Sequence, residues 1–278
     1  MTSVPTVDLD HVAVAVEHRR EAWARYRVAL GGQWVGGGAT AGFANNQFGY
    51  ANGMKIEVLR PHRVEDDDFL RRFLDRSGPG PHHLTYKVAD IRVAIDAATA
   101  GGYPPVSVNL AFREWMEAFL HPKASHGVVV QLAESHDEGW EKPPPPEQMP
   151  EPGPVQADLV RTVHVVASLD EAATLFEDVL LGEEIAQGVG GRVADGIPAG
   201  AGRWRDLAWP GAGRLRLVEP VAGGELAGWL GGRPGAIHHL GFATDDPAAH
   251  PDAARLEDDT FTVAPEHNLG TRLLLHPR

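Results

Sequence analysis

The amino-acid sequence predicts an α+β fold of four βαβββ modules in two tandem halves. Three observations carry this: a proline-rich stretch near the middle of 278 residues, landmarks that recur on either side of it, and a strand–helix order that recurs again within the first half. The stretch 136–156 holds Pro143 to Pro146 in a row and then Pro150, Pro152 and Pro154, interleaved with glutamates. Proline lacks the N–H that helix and sheet interiors use, so this segment reads as an extended, semi-rigid spacer. It separates a domain at 1–135 from a second at 157–278.

Each half opens on an apolar strand bearing one histidine, Asp10-His11-Val12-Ala13-Val14 and Val163-His164-Val165-Val166-Ala167. A helix follows in both. Trp23, Tyr26 and Leu30 share a face of the first; Ala172, Leu175, Phe176 and Val179 share a face of the second, with Asp170 as the expected N-cap. Gly31 and Gly182 stop these helices. Strands at 55–61 and 214–220 then end in proline, and after a short helical segment paired histidines open a strand, His82-His83 and His238-His239. The offset is 153 residues from His11 to His164 and 156 from His83 to His239, the near-constant spacing that duplication leaves. Within the first half, His83 begins a second module. Its helix at 90–100 places Ile91, Ala94, Ile95 and Ala98 on one face and stops at Gly101, and its last strand is 127–132.

Composition bounds the function. With 43% hydrophobic and 23% charged residues the chain is of ordinary globular make-up. A formal charge of −13 repels polyphosphate and anionic membrane surfaces, so nucleic acid and membrane are not the expected partners. The absence of cysteine excludes disulfides, thiolate metal sites and thiol nucleophiles, and leaves any metal to His, carboxylate or amide oxygen. The N-terminal residues lack a signal-peptide pattern and no apolar run reaches membrane-helix length, so the expectation is a cytoplasmic monomer or homodimer acting on a small molecule.

Strand parity locates the candidate chemistry, because successive side chains point to opposite faces. His11 lies opposite Val12 and Val14, Glu57 opposite Ile56 and Val58, His83 opposite Leu84 and Tyr86, and Gln131 opposite Val130 and Leu132. Two imidazoles, a carboxylate and an amide oxygen form a plausible set for a divalent first-row metal, although a lone strand histidine is more often a hydrogen-bonded core residue. Such a centre polarises a carbonyl and eases removal of an adjacent proton. Lys87 shares a face with His83. The basic stretches Arg60-Pro61-His62-Arg63 and Arg71-Arg72 stand out in an acidic chain, the second reading as a solvated helix face opposite Phe69, Phe73 and Leu74.

These residues resemble the vicinal oxygen chelate (glyoxalase / bleomycin resistance / dioxygenase) superfamily. The matching stretches are Asp10-His11-Val12-Ala13, Ile56-Glu57-Val58-Leu59-Arg60-Pro61, Gly80-Pro81-His82-His83-Leu84, and Phe119-Leu120-His121-Pro122-Lys123 leading into Gly127-Val128-Val129-Val130-Gln131-Leu132. The first half is nearest to methylmalonyl-CoA epimerase-like members. The resemblance implies tandem domains of curved mixed sheets. It also implies one divalent metal ion (Zn, Co, Ni, Mn or Mg) at His11, Glu57, His83 and Gln131, with Glu57 as the catalytic base and Lys87 and Lys123 as substrate contacts. The chain departs from the epimerase pattern by carrying a carboxylate at 57 and an amide at 131, the reverse of the family's order, and amides only in Asn45-Asn46-Gln47. The second-half equivalents read His164, Arg216, His239 and Leu274, a set unsuited to metal.

The function that this implies is an isomerase or lyase of the glyoxalase/epimerase type, acting on acyl-CoA-like or other carbonyl substrates. The alternatives are a drug-sequestering binding protein of the bleomycin-resistance type and, less favoured by the ligand order, an extradiol-type dioxygenase.

Overall fold

The computed structural model describes residues 6–136, 143–256 and 258–278. The first module comprises β1 (Val7–Ala15), α1 (Arg19–Ala22), β2 (Gln33–Ala39), β3 (Gly42–Gly49) and β4 (Lys55–His62). After α2 (Phe69–Ser77) comes the second: β5 (Gly80–Val88), α3 (Ile91–Ala100), β6 (Ser107–Asn109), β7 (Trp115–Leu120) and β8 (Val129–Ser135). The third comprises β9 (Ala157–Val166), α4 (Leu169–Ala173), β10 (Glu183–Val189), β11 (Ala201–Ala208) and β12 (Arg214–Pro220). Beyond α5 (Glu225–Leu230) lies the fourth, with β13 (Gly235–Thr244), β14 (Ala254–Arg255), β15 (Phe261–Val263) and β16 (Leu273–Pro277).

Two eight-stranded mixed sheets result, in the orders β2-β3-β4-β1-β5-β8-β7-β6 and β10-β11-β12-β9-β13-β16-β15-β14. The identical order in both sheets carries the duplication read from sequence. Three local details depart from the sequence reading. Helices α1 and α4 continue as wider π-helical turns at Trp23–Val28 and Thr174–Val179, which still bury Trp23, Tyr26, Leu175 and Phe176. Ser168, rather than Asp170, caps α4: its hydroxyl accepts from the Glu171 N–H, and Asp170 sits inside the first turn. The fourth module has a 3₁₀ turn at Pro247–Ala249 where a helix was expected, in a stretch interrupted by Pro247 and Pro251.

By backbone proximity the described residues fall into two compact units, each joining one module of either half. Those of Met1–Asp10, His83–Trp140 and Arg161–His238 form one; those of His11–His82, Glu141–Val160 and His239–Arg278 form the other. In the first unit, Gly127 meets Gly235 so closely that a Cβ would lie 1.9 Å from the Gly235 oxygen, and Tyr86 packs edge-on against Trp209. The second repeats the device, with Gly270 against the Pro79 oxygen and Tyr50 edge-on to Phe242. Each unit has its own apolar cluster: Val163, Val165, Ile197, Val218, Leu226 and Leu230 in one, Ala13, Ala15, Leu59, Leu70 and Leu74 in the other.

The proline-rich stretch is free of helix and strand over 143–156, and its residues 137–142 lie outside the described residues. It is also fastened to the first module: Arg27 Nε donates to the Pro150 carbonyl at 2.6 Å and Trp34 Nε1 to the Pro143 carbonyl at 2.9 Å. No helix among the described residues is long and apolar enough to cross a membrane.

Candidate metal centre

The two modules of the first sheet use one register rule. Strand β1 runs parallel to β4 with Ala13 opposite Glu57, and β5 runs parallel to β8 with Thr85 opposite Gln131. In each case the histidine stands two residues before the paired position, so that histidine and partner share a face. His11, Glu57 and His83 are all buried, and one ligand atom from each lies within 4.8 Å of the others. His11 Nε2 and Glu57 Oε2 are 3.5 Å apart. Two ligands with ~2.1 Å bonds to one tetrahedral ion stand ~3.4 Å apart, so this spacing fits a first-row divalent metal.

Amides orient the carboxylate. Asn45 Nδ2 donates to Glu57 Oε1 at 2.7 Å and Gln47 Nε2 donates to the same oxygen at 3.3 Å, both from β3, leaving Oε2 on the His11 side. In the second module the chemistry is inverted. Gln131 Nε2 donates to Glu117 Oε2 at 2.7 Å, Trp115 Nε1 donates to that same carboxylate oxygen at 2.9 Å, and Thr85 Oγ1 donates to Gln131 Oε1 at 2.6 Å. With its nitrogen committed to Glu117 and one oxygen lone pair to Thr85, Gln131 keeps one oxygen lone pair as donor capacity toward a cation.

Glu117 was not singled out in the sequence. A signal for it existed: Asn45 precedes Glu57 by 12 residues and Glu117 precedes Gln131 by 14, so the repeat itself points to a polar partner on the strand before the ligand position. Lys87 is half-buried; its ammonium lies 3.9 Å from the Trp115 ring centroid and bonds Ser135 Oγ. Lys123 is exposed in the turn after β7, its backbone N–H donating to His121 Nδ1 at 3.1 Å.

The second half requires a correction. Strand β12 sets Arg216 opposite Val163 on β9, as β4 sets Glu57 opposite Ala13. The residue two before Val163 is Arg161, so Arg161 and not His164 stands at the position of His11. His164 is displaced by three residues and faces the other way, where its Nε2 is 2.8 Å from the His126 carbonyl and its ring packs against Phe176. Burial drives its pKa down to about 4. Arg216 does occupy the Glu57 position: it is buried and fork-paired to Asp206 at 2.6 and 2.7 Å, donates to the Asp195 carbonyl at 2.7 Å and lies over Trp204. Leu274 pairs with Gly241, two residues after His239, as Gln131 pairs with Thr85. An arginine pair and a leucine thus fill three of four ligand positions.

Residues 10–119 match the family model described as the Glyoxalase/Bleomycin resistance protein/Dioxygenase superfamily. An ethylmalonyl-CoA/methylmalonyl-CoA epimerase from Cereibacter sphaeroides is 31% identical over 135 residues, covering 45% of this chain and 95% of that protein. A solved mutant of 4-hydroxymandelate synthase from Streptomyces coelicolor is similar in fold across both halves, with a TM-score of 0.66 at 15% identity over 96% of this chain and 92% of that one. The chain belongs to the glyoxalase/bleomycin resistance protein/dioxygenase superfamily, with two tandem vicinal oxygen chelate halves.

Proposed function

We propose that the first half is a divalent-metal-dependent isomerase or lyase that moves a proton beside the carbonyl of a small cytoplasmic substrate. The observation that carries this is the convergence of His11, Glu57 and His83 within 4.8 Å. Gln131 is the proposed fourth ligand, through its oxygen. A metal bound there supplies Lewis acidity toward a substrate carbonyl. The protein's own residues supply the rest. Asn45 and Gln47 hold Glu57 through Oε1, so Oε2 is the atom proposed to take the proton. Glu117 and Thr85 fix the Gln131 amide, which itself has no basicity near neutral pH. The epimerase relative supports an acyl-CoA thioester as the substrate class, and Lys87 and Lys123 are the cations proposed to meet its anionic groups.

The test combines elemental analysis of reconstituted protein with solvent deuterium exchange into a panel of acyl-CoA thioesters. Expected are about one metal ion per chain and deuterium at the carbon next to the thioester carbonyl. Glu57→Gln keeps an oxygen donor and removes the base, so it should bind metal yet lose exchange. Metal-free protein after reconstitution, or exchange unaffected by Glu57→Gln, defeats the reading.

A further inference from the structure

A cavity of about 330 Å³ lies on the first module, lined in part by Arg19, Arg60, Trp34, Gly38, Pro143 and Pro144. Its size falls at the small end of ligand pockets. Arg60 is three residues beyond Glu57 on β4, so parity turns it to the face of the sheet opposite Glu57, and Asn45, which holds Glu57, lines the cavity's edge. The Arg60 guanidinium donates to the adjacent Pro61 carbonyl at 3.2 Å, and that of Arg19 lies 5.1 Å from the Trp23 ring centroid. Among the described residues neither is paired with a carboxylate. Burial first, and then the positive charge of Arg19, lower the pKa of Arg60 from its ordinary value, so two like charges share one wall.

The repeat shows what other modules keep at this position. Three residues beyond Gln131 stands Glu134, whose carboxylate accepts from the N–H of Ile91, the first residue of α3, at 2.8 Å. Three residues beyond Arg216 stands Glu219, which accepts from the N–H of Leu169, the first residue of α4, at 2.8 Å. In the first module the corresponding pair is Arg60 and Arg19, the first residue of α1. Where two modules hold an anion of their own, this one presents two guanidinium groups.

We propose that this cavity binds a small organic oxyanion, a phosphate or carboxylate carried on a flat apolar group. The oxyanion sits between Arg19 and Arg60, where planar guanidinium donors match its geometry, and the flat group rests on Trp34 and the prolines. Trp34 Nε1, bonded to the Pro143 carbonyl at 2.9 Å, keeps that wall in place.

Calorimetric titration of the full chain with phenyl phosphate, benzoate, inorganic phosphate and benzyl alcohol tests this. At least one aromatic anion should saturate a single site more tightly than inorganic phosphate, benzyl alcohol should not bind, and added salt should weaken the binding. Phenyl phosphate against benzoate decides the head group. Arg19→Gln and Arg60→Gln should each weaken binding about 10-fold or more, with Arg60→Lys in between. Circular dichroism monitors folding; if Arg60→Gln fails to fold, Arg19→Gln decides, since Arg19 is half-exposed at a helix start. No saturation by any anion at ~10 mM, well above the ~1 mM class of weak ligands, overturns the proposal, as does unchanged affinity in Arg19→Gln or equal binding of benzyl alcohol.

Discussion

The same register position has opposite chemistry in the two sheets. In the first, Gln47 stands opposite Glu57; in the second, Asp206 stands opposite Arg216. Glu57 is held by the neutral amides of Asn45 and Gln47, whereas Arg216 is fork-paired to Asp206, which also lies 3.8 Å from Arg161. The connection between the middle strands differs as well. Residues 190–200 join β10 to β11, place Ile197 in the apolar cluster and aim the Asp195 carbonyl at Arg216, while β2 and β3 are joined by a two-residue turn. One duplicated scaffold therefore carries a candidate cation site in one copy and, in the other, an arginine–aspartate cluster beside apolar filling.

The most severe way to break this contrast is to remove a ligand. His11→Ala or His83→Ala should abolish stoichiometric metal binding, read by elemental analysis after dialysis, and leave the secondary structure intact. Removing Arg216 from the second sheet should instead cost stability: Arg216→Ala leaves buried Asp206 with only the longer 3.8 Å pairing to Arg161, and urea unfolding should show a loss of about 3 kcal/mol with metal content unchanged. A loss of metal in this variant would mean that the halves do not divide the work as described.

A pH series sharpens the comparison. His164 has no counterpart in the first half, where register puts Val14 at that place. Its folded pKa of about 4 lies below the unfolded value of about 6.5, so only the unfolded chain takes up this proton between those values. Its contribution is full above pH 6.5 and is lost as pH falls toward 4, on the order of 3 kcal/mol. His250, also held at about 4 by burial, adds a term of the same sign. His164→Val should reduce the slope of unfolding free energy against pH between 4 and 6.5 without removing it. The smallest effect belongs to the residues that orient the ligands. Asn45→Leu should weaken metal affinity about 10-fold, and Glu117→Gln by less, in competition with a chelating dye.

Much of this was legible in the sequence because strand faces follow from parity alone. His11, Glu57 and His83 could be placed on their strands from the apolar residues between them. The supporting partners were harder to read. Glu117 and Asp206 lie on neighbouring strands, and which residue of one strand meets which of the next depends on hairpin length. His164 shows the same limit from the other side: a histidine in the right strand, three residues out of place, points to the wrong face.

The sequence by itself determined the duplicated architecture, the absence of thiolate ligands and the strand faces of four candidate ligands, His11, Glu57, His83 and Gln131, since these follow from composition, periodicity and repeat. Only the tertiary structure decided that Gln131 is locked by Glu117, that Arg161 replaces a histidine in the second sheet, and that Arg19 and Arg60 face one cavity. Those outcomes rest on backbone hydrogen-bond register and on side chains far apart in sequence, and no local pattern encodes either.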